Sequence, residues 1–177
     1  IENDSADEPS IVLSITSPDG DEGYPGTMDV TVTYTLTKNN ALMINYKAKS
    51  DADTICNFTN HSYFNLSGHN SGTVYDQTLQ INSDFYTAGD VHCIPTGEVL
   101  KVDGTPFDFR EAKPIGKDIK SDFGMMDTYL GYDHNFAING RGYRKAAEAH
   151  SAKTGITMEV YTNECGMQLY SGNYVEE

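Results

Sequence analysis

The run DVTVTYTLT (29–37) constrains this chain more than any other stretch. Val30, Val32, Tyr34 and Leu36 alternate with Thr31, Thr33, Thr35 and Thr37, a period of two that a strand turns into one apolar and one polar face. A helix would scatter the same residues around its axis. Lys38-Asn39-Asn40 supplies a short turn, and ALMINYKAK (41–49) runs back, so the two segments read as an antiparallel hairpin.

The same signal recurs along the chain. IVLSIT (11–16) is followed by a glycine-rich loop, SPDGDEGYPG (17–26). Further strands are expected at TICNFTNHSYFNL (54–66), YDQTLQINSDFYTA (75–88), EVLKV (98–102), DHNFAI (133–138), AAEAHSA (146–152), ITMEVYTN (156–163) and MQLYSG (167–172). KPIGKDIKSDFG (113–124) has room for a turn or two of helix, and no long helix is convincing. Many strands with regular turn signals predict an all-β sandwich or barrel. The 177 residues suit one domain, expected over 11–177, with residues 1–10 an acidic loop or loose end.

Twelve basic residues face 26 acidic ones, a formal charge of −14, which opposes binding to nucleic acid or to an anionic membrane surface. Three cysteines, Cys56, Cys93 and Cys165, are odd in number and lack C-x-x-C spacing, which argues against a disulfide framework or a zinc site. His61, His69, His92, His134 and His150 show no metal-ligand spacing, so no metal is expected. A reducing compartment fits, and neither a membrane-spanning run nor a secretory signal is read; the expected location is cytoplasmic. The chain starts at Ile1 without methionine, as a processed product or a fragment would.

Three places could carry chemistry. In NFTNHSYFNLSGH (57–69), period two puts Asn57, Thr59, His61 and Tyr63 on one face and Phe58, Asn60, Ser62 and Phe64 on the other. Three readings of this stretch stay open: glycosylation at its N-x-S/T matches, a satisfied strand histidine, or a proton donor in a site. The glycan reading is weakened because the matches fall inside one expected strand; Asn3-Asp4-Ser5 is a further match. In GYDHNF (131–136), Asp133 and His134 are neighbours and point to opposite faces, so they cannot make one metal-binding face. Asp133 is either a turn former or an acceptor for ligand hydroxyls. In ECGMQLYSGN (164–173), Gln168 offers donors and an acceptor suited to a sugar hydroxyl, though a lone strand glutamine is usually an edge residue. No nucleophile elbow or phosphate-binding loop is present.

Taken together, SPDGDEGYPG, NFTNHSYFNLSG, IPTGEVLKVDGTPFDFR (94–110), GYDHNF and GMQLYSGN resemble the aldose 1-epimerases, the galactose mutarotases, in motif and in order. The resemblance implies a large antiparallel β-sandwich of the galactose mutarotase type with an open cleft across one sheet. It implies interconversion of α and β anomers of free aldohexoses such as galactose or glucose, with no cofactor. The histidine of the NHSYFNL motif, His61, would protonate the ring oxygen. Asp133 and Gln168 would bind the sugar.

The family's general base is a glutamate in an L-E-x-Q segment, and its earlier motifs supply a second histidine and an arginine. None of these is found in the 177 residues. The resemblance therefore implies the central portion of a longer enzyme, truncated at both ends and inactive by itself. Such a piece is expected to self-associate or to bind complementary fragments of its parent. The competing reading is a non-catalytic carbohydrate-binding sandwich.

Overall fold

The computed structural model describes residues 2–3 and 7–175. The chain divides into two compact units, Ile1–Ser62 and Tyr63–Glu177.

The first unit is one antiparallel sheet in the order β1 (Glu2–Asn3), β2 (Ser10–Ser17), β3 (Met28–Leu36), β4 (Leu42–Ser50). The threonine–valine run forms β3, paired along its length with β2 and β4. Register stacks Ile11–Tyr34–Ile44, Leu13–Val32–Tyr46 and Ile15–Val30–Ala48 in three cross-strand rows, so the alternation becomes one apolar face. The hairpin closes at Asn40, which takes φ 60 and donates its N–H to Thr37 O; asparagine tolerates this left-handed position. Gly26 ends the β2–β3 loop at φ 85, where a Cβ would lie 2.6 Å from Ser50 Oγ. Its N–H is held by Asp19 Oδ1 at 2.7 Å.

Two expectations are corrected here. Part of the segment read as a loose end, Glu2–Asn3, instead pairs with β2; residues 1 and 4–6 lie outside the described residues. The segment 54–66, expected as a strand, joins no ladder and ends in a turn at Leu66. The alternation holds over residues 57–61: Phe58 stacks on Tyr46 at 5.9 Å, and Asn60 Nδ2 donates to Tyr34 Oη at 3.4 Å, while Asn57, Thr59 and His61 are exposed; beyond it Ser62 and Phe64, expected on the Phe58 face, are exposed as well. Asn60 then folds back, its Oδ1 accepting the Ser62 N–H at 3.1 Å, a local side-chain bond of the kind that competes with pairing.

The second unit has two antiparallel sheets. One runs β11 (Thr157–Thr162), β10 (Arg144–His150), β5 (Thr78–Ile81), β8 (Lys113–Pro114). The other runs β12 (Gly166–Tyr170), β9 (Asp133–Ile138), β6 (Ser83–Gly89), β7 (Pro95–Lys101). The expected single strand 75–88 is therefore two, one per sheet, parted at Asn82. The Asn82 N–H donates to Ala146 O within β10, and its carbonyl accepts from Asn139 N just after β9. Ser83 Oγ donates to Phe85 O and also bonds Ala137 O, fixing a bulge. The helical expectation at 113–124 resolves into two 3-10 turns, Ile115–Lys117 and Phe123–Met125.

The core of this unit is aromatic. Phe107 is fully buried, with Tyr86 at 4.4 Å and further ring contacts to Tyr132 and Phe136. Phe107 and Phe109 come from the loop after β7. Thr105 Oγ1 caps that loop on Val102 O at 2.7 Å, and Arg110 pins it through Asp108 and Asp103.

Candidate functional site

Asp133 and Gln168 meet because β9 and β12 are neighbours. Register sets Gln168 opposite Asn135 and Tyr170 opposite Asp133, so Asp133 and Gln168 are diagonal partners on one face. Gln168 Nε2 donates to Asp133 Oδ1 at 2.8 Å. That leaves Asp133 Oδ2, Gln168 Oε1 and one amide N–H for a ligand. The pair opens onto a hollow of about 100 Å³ that also takes in Thr87, Cys93, Tyr129 and Asn135.

Gly166 is required on this face. A Cβ there would lie 2.6 Å from Asn135 Oδ1, and a side chain would push Asn135 away from Thr87, to whose Oγ1 it donates at 3.4 Å. Tyr129 forms one wall. Its hydroxyl donates to Asp90 O at 2.6 Å, and burial, followed by the neighbouring Cys93, pushes its pKa up to about 12. It is a neutral donor at physiological pH.

On the opposite face of β9 the alternation drawn from DHNFAI places His134 inside. It is 3% exposed; Nδ1 lies 3.0 Å from the Asp133 N–H and Nε2 2.7 Å from Gly124 O. Burial lowers its pKa, outweighing the Gly124 contact and the Asp133 charge. Sequence reasoning weighed His134 only as a metal ligand. The missed signal was a polar ring on the apolar face of a strand, which must find partners there.

His61 lies in the first unit, exposed, on the segment that covers Tyr34 and Tyr46. The later half of its motif belongs to the second unit. Tyr63 packs on Tyr170 at 5.6 Å. Asn65 and Leu66 are clamped by the buried Gln77, whose Nε2 donates to Asn65 Oδ1 at 2.7 Å and whose Oε1 accepts the Leu66 N–H at 3.2 Å. Asn65 Nδ2 in turn donates to Gly72 O at 3.0 Å, so this amide is committed to the fold rather than presented to a glycan. Among the described residues no cluster of three or more histidine, cysteine or acidic side chains could hold a metal, and no helix is long and apolar enough to cross a membrane.

An antiparallel all-β scaffold presents an acidic–amide pair at an open hollow, a set of donors and acceptors that hydroxyl groups can satisfy. The pattern of the family described as Aldose 1-epimerase matches residues 1–177, and the chain belongs to that family. It is 44% identical over 167 residues to a galactose mutarotase of Pongo abelii, covering 94% of this chain and 47% of that protein. To an aldose 1-epimerase of Haemophilus influenzae it is 42% identical over 167 residues, covering 93% and 48%. The crystal structure of galactose 1-epimerase from Lactobacillus acidophilus superposes with a TM-score of 0.87 at 34% identity, over 98% of this chain and 50% of that one. The chain thus spans about half the length of the relatives it matches, and its fold is the antiparallel β fold of that structure.

Proposed function

We propose that this chain is part of an aldose 1-epimerase that interconverts the α and β anomers of free aldohexoses, galactose or glucose. The observation that carries the reading is the Asp133–Gln168 pair, hydrogen-bonded at 2.8 Å above an open hollow, in a chain matched along its whole length by that family. A carboxylate accepts from sugar hydroxyls, and an amide both gives and accepts, so the pair can fix a pyranose by two adjacent hydroxyls.

In the proposed reaction His61 gives a proton to the ring oxygen as the bond from that oxygen to C1 breaks. A base takes the anomeric hydroxyl proton, and C1 becomes an aldehyde. Rotation about C1–C2 and closure on the other face return both protons. No redox change occurs, so the reaction as written needs no cofactor. What supports His61 in this role is the resemblance of its NHSYFNL motif to the family that matches the chain.

The finer readings go with this proposal. Residues 11–177 are read as one sandwich domain, as the single family match over residues 1–177 supports. The three cysteines are free and exposed, which suits a cytoplasmic, reducing setting. Ile11, Leu13 and Ile15 are exposed on the apolar face of β2, which supports self-association or pairing with complementary parts of the parent. Titrating galactose while following the Gln168 side-chain amide by NMR tests the site. A saturable shift, abolished by Asp133→Ala, supports it; no shift at any sugar concentration overturns it. Binding without accelerated mutarotation in a longer parent protein would instead identify a non-catalytic sugar-binding sandwich.

A further inference from the structure

The hydrogen-bond partners of His134 fix its chemical form. The Asp133 N–H can only donate, so Nδ1, 3.0 Å away, is an unprotonated acceptor. The Gly124 carbonyl can only accept, so Nε2, 2.7 Å away, carries the ring proton. The imidazole is therefore neutral and a single tautomer. Phe107 at 4.3 Å, Tyr129 at 5.2 Å and Tyr86 at 6.4 Å enclose it.

We propose that His134 is a positioning residue for Asp133: its Nδ1 holds the Asp133 backbone N–H and so sets the carboxylate that, with Gln168, receives the ligand. One methylene separates that backbone from the carboxylate, so a shift of the main chain carries the acceptor with it. The far end of the imidazole is anchored on the turn Phe123–Met125, so the ring ties the start of β9 to a second element. The inference deepens the functional proposal and rests on its assignment of Asp133 to sugar binding.

Protonation provides a handle. A second proton would enter at Nδ1 and set two donors against each other across 3.0 Å. Burial opposes that proton. The ionisable groups facing the ring are the Asp133 carboxylate, which favours it, and the phenols of Tyr86 and Tyr129, which are neutral in this range. No cationic side chain among these neighbours assists the release.

Substitutions separate the two hydrogen bonds. His134→Asn puts an amide oxygen where Nδ1 stood and keeps the Asp133 bond while losing Gly124. His134→Phe fills the space and loses both. In the folded protein, imidazole NMR of His134 should show the neutral Nε2–H tautomer. As it gains a proton on acidification, the Asp133 amide and the Gln168 side-chain amide should move with the same midpoint. His134→Asn should hold both resonances near their original positions and remove that midpoint, and His134→Phe should displace both at neutral pH.

Galactose affinity should fall on the order of tenfold in His134→Phe, the worth of one well-made hydrogen bond, and stay within about threefold in His134→Asn. An Nδ1–H tautomer, or a Gln168 amide indifferent to both His134 protonation and His134→Phe, overturns the inference. If Asp133→Ala leaves galactose binding intact, the functional proposal fails instead. The NMR result still decides whether His134 sets Asp133. Thermal melts of each variant identify any that fail to fold, and His134→Asn then carries the test.

Discussion

Gln168 Nε2 donates to Asp133 Oδ1 at 2.8 Å from the adjacent strand, so each fixes the other's rotamer before any ligand arrives. Pre-set polar groups lose less entropy on binding than groups that must first be ordered. Removing either member should therefore weaken sugar binding by more than its own ligand contact. Asp133→Ala should cost about 10–100-fold in affinity, the range for a hydrogen bond to a charged group. Gln168→Ala should cost less, since Asp133 keeps its charge. Titration of galactose into each variant measures both, and equal affinities for wild type and Asp133→Ala would remove Asp133 from the site.

His61→Asn, made in a form of the protein that shows mutarotase activity, should lower kcat on the order of 10²–10⁴-fold, the usual share of a general acid. KM should change little, because the proposal assigns the grip on the sugar to Asp133 and Gln168. Polarimetry of freshly dissolved α-glucose reads the rate directly. An unchanged kcat would make His61 a structural residue of its segment.

Stability should fall at both ends of the pH scale, for identifiable reasons. Burial raises Tyr129 to about 12 from an ordinary 10.0 and raises Tyr132 further. The unfolded chain then loses these protons first, so stability is intact below about pH 10 and declines above it. At the acid end burial lowers His134 from 6.5, so the unfolded state takes up the proton first; its contribution is full above about pH 6.5 and is lost as the pH falls. Asp108 adds to the acid loss, because its hydrogen bond to Arg110 holds it below the usual carboxylate range. Urea midpoints measured across pH should show both limbs. Tyr129→Phe should lessen the alkaline one, at the expense of the bond to Asp90 O.

Much of this was readable from residue order because period two reports backbone conformation. DVTVTYTLT became the central strand of its sheet, and DHNFAI placed Asp133 and His134 on opposite sides of β9, as the alternation required. The same alternation in residues 57–61 also held, with Phe58 and Asn60 turned to Tyr46 and Tyr34. What it could not report was pairing. A period of two shows that a segment is extended, and a ladder also needs a partner with matching free groups, which this segment lacks among the described residues. The break at Asn82 was hidden for a related reason: its cause is two backbone bonds, to Ala146 and Asn139, more than 50 residues away. Phe107 and Phe109 were hidden because a loop has no period to read. Of the site, Asp133 and Gln168 came from motif resemblance, and only three-dimensional register shows why they touch.

Phe107 should be among the costliest positions to truncate. It is fully buried and touches the His134 ring at 4.3 Å as well as Tyr86, so Phe107→Ala opens a cavity under the strand that carries Asp133. A loss of about 3–5 kcal/mol is expected from such a deletion. Phe107→Leu should cost less and keep the His134 geometry. Chemical denaturation gives the magnitude. A loss for Phe107→Ala no larger than that for an exposed residue such as Phe64 would show that this loop does not pack as described.

The last prediction concerns the 177 residues by themselves. Ring opening needs an acid at the ring oxygen and a base at the anomeric hydroxyl, acting together. Among the described residues lining the hollow, Asp133 is the one carboxylate, and its Oδ1 is already engaged by Gln168. A carboxylate that accepts hydrogen bonds from sugar hydroxyls is poorly placed to remove the anomeric proton as well. This chain, as an isolated polypeptide, should therefore bind galactose weakly and leave the mutarotation rate at that of the buffer. A longer parent protein should accelerate it. Anomer relaxation followed by polarimetry, with and without equimolar protein, makes the comparison. A saturable acceleration by the 177 residues alone would show that a base is present within them. Asp133→Asn would then be the first variant to examine, since it keeps the shape of the Gln168 contact and removes the basic oxygen.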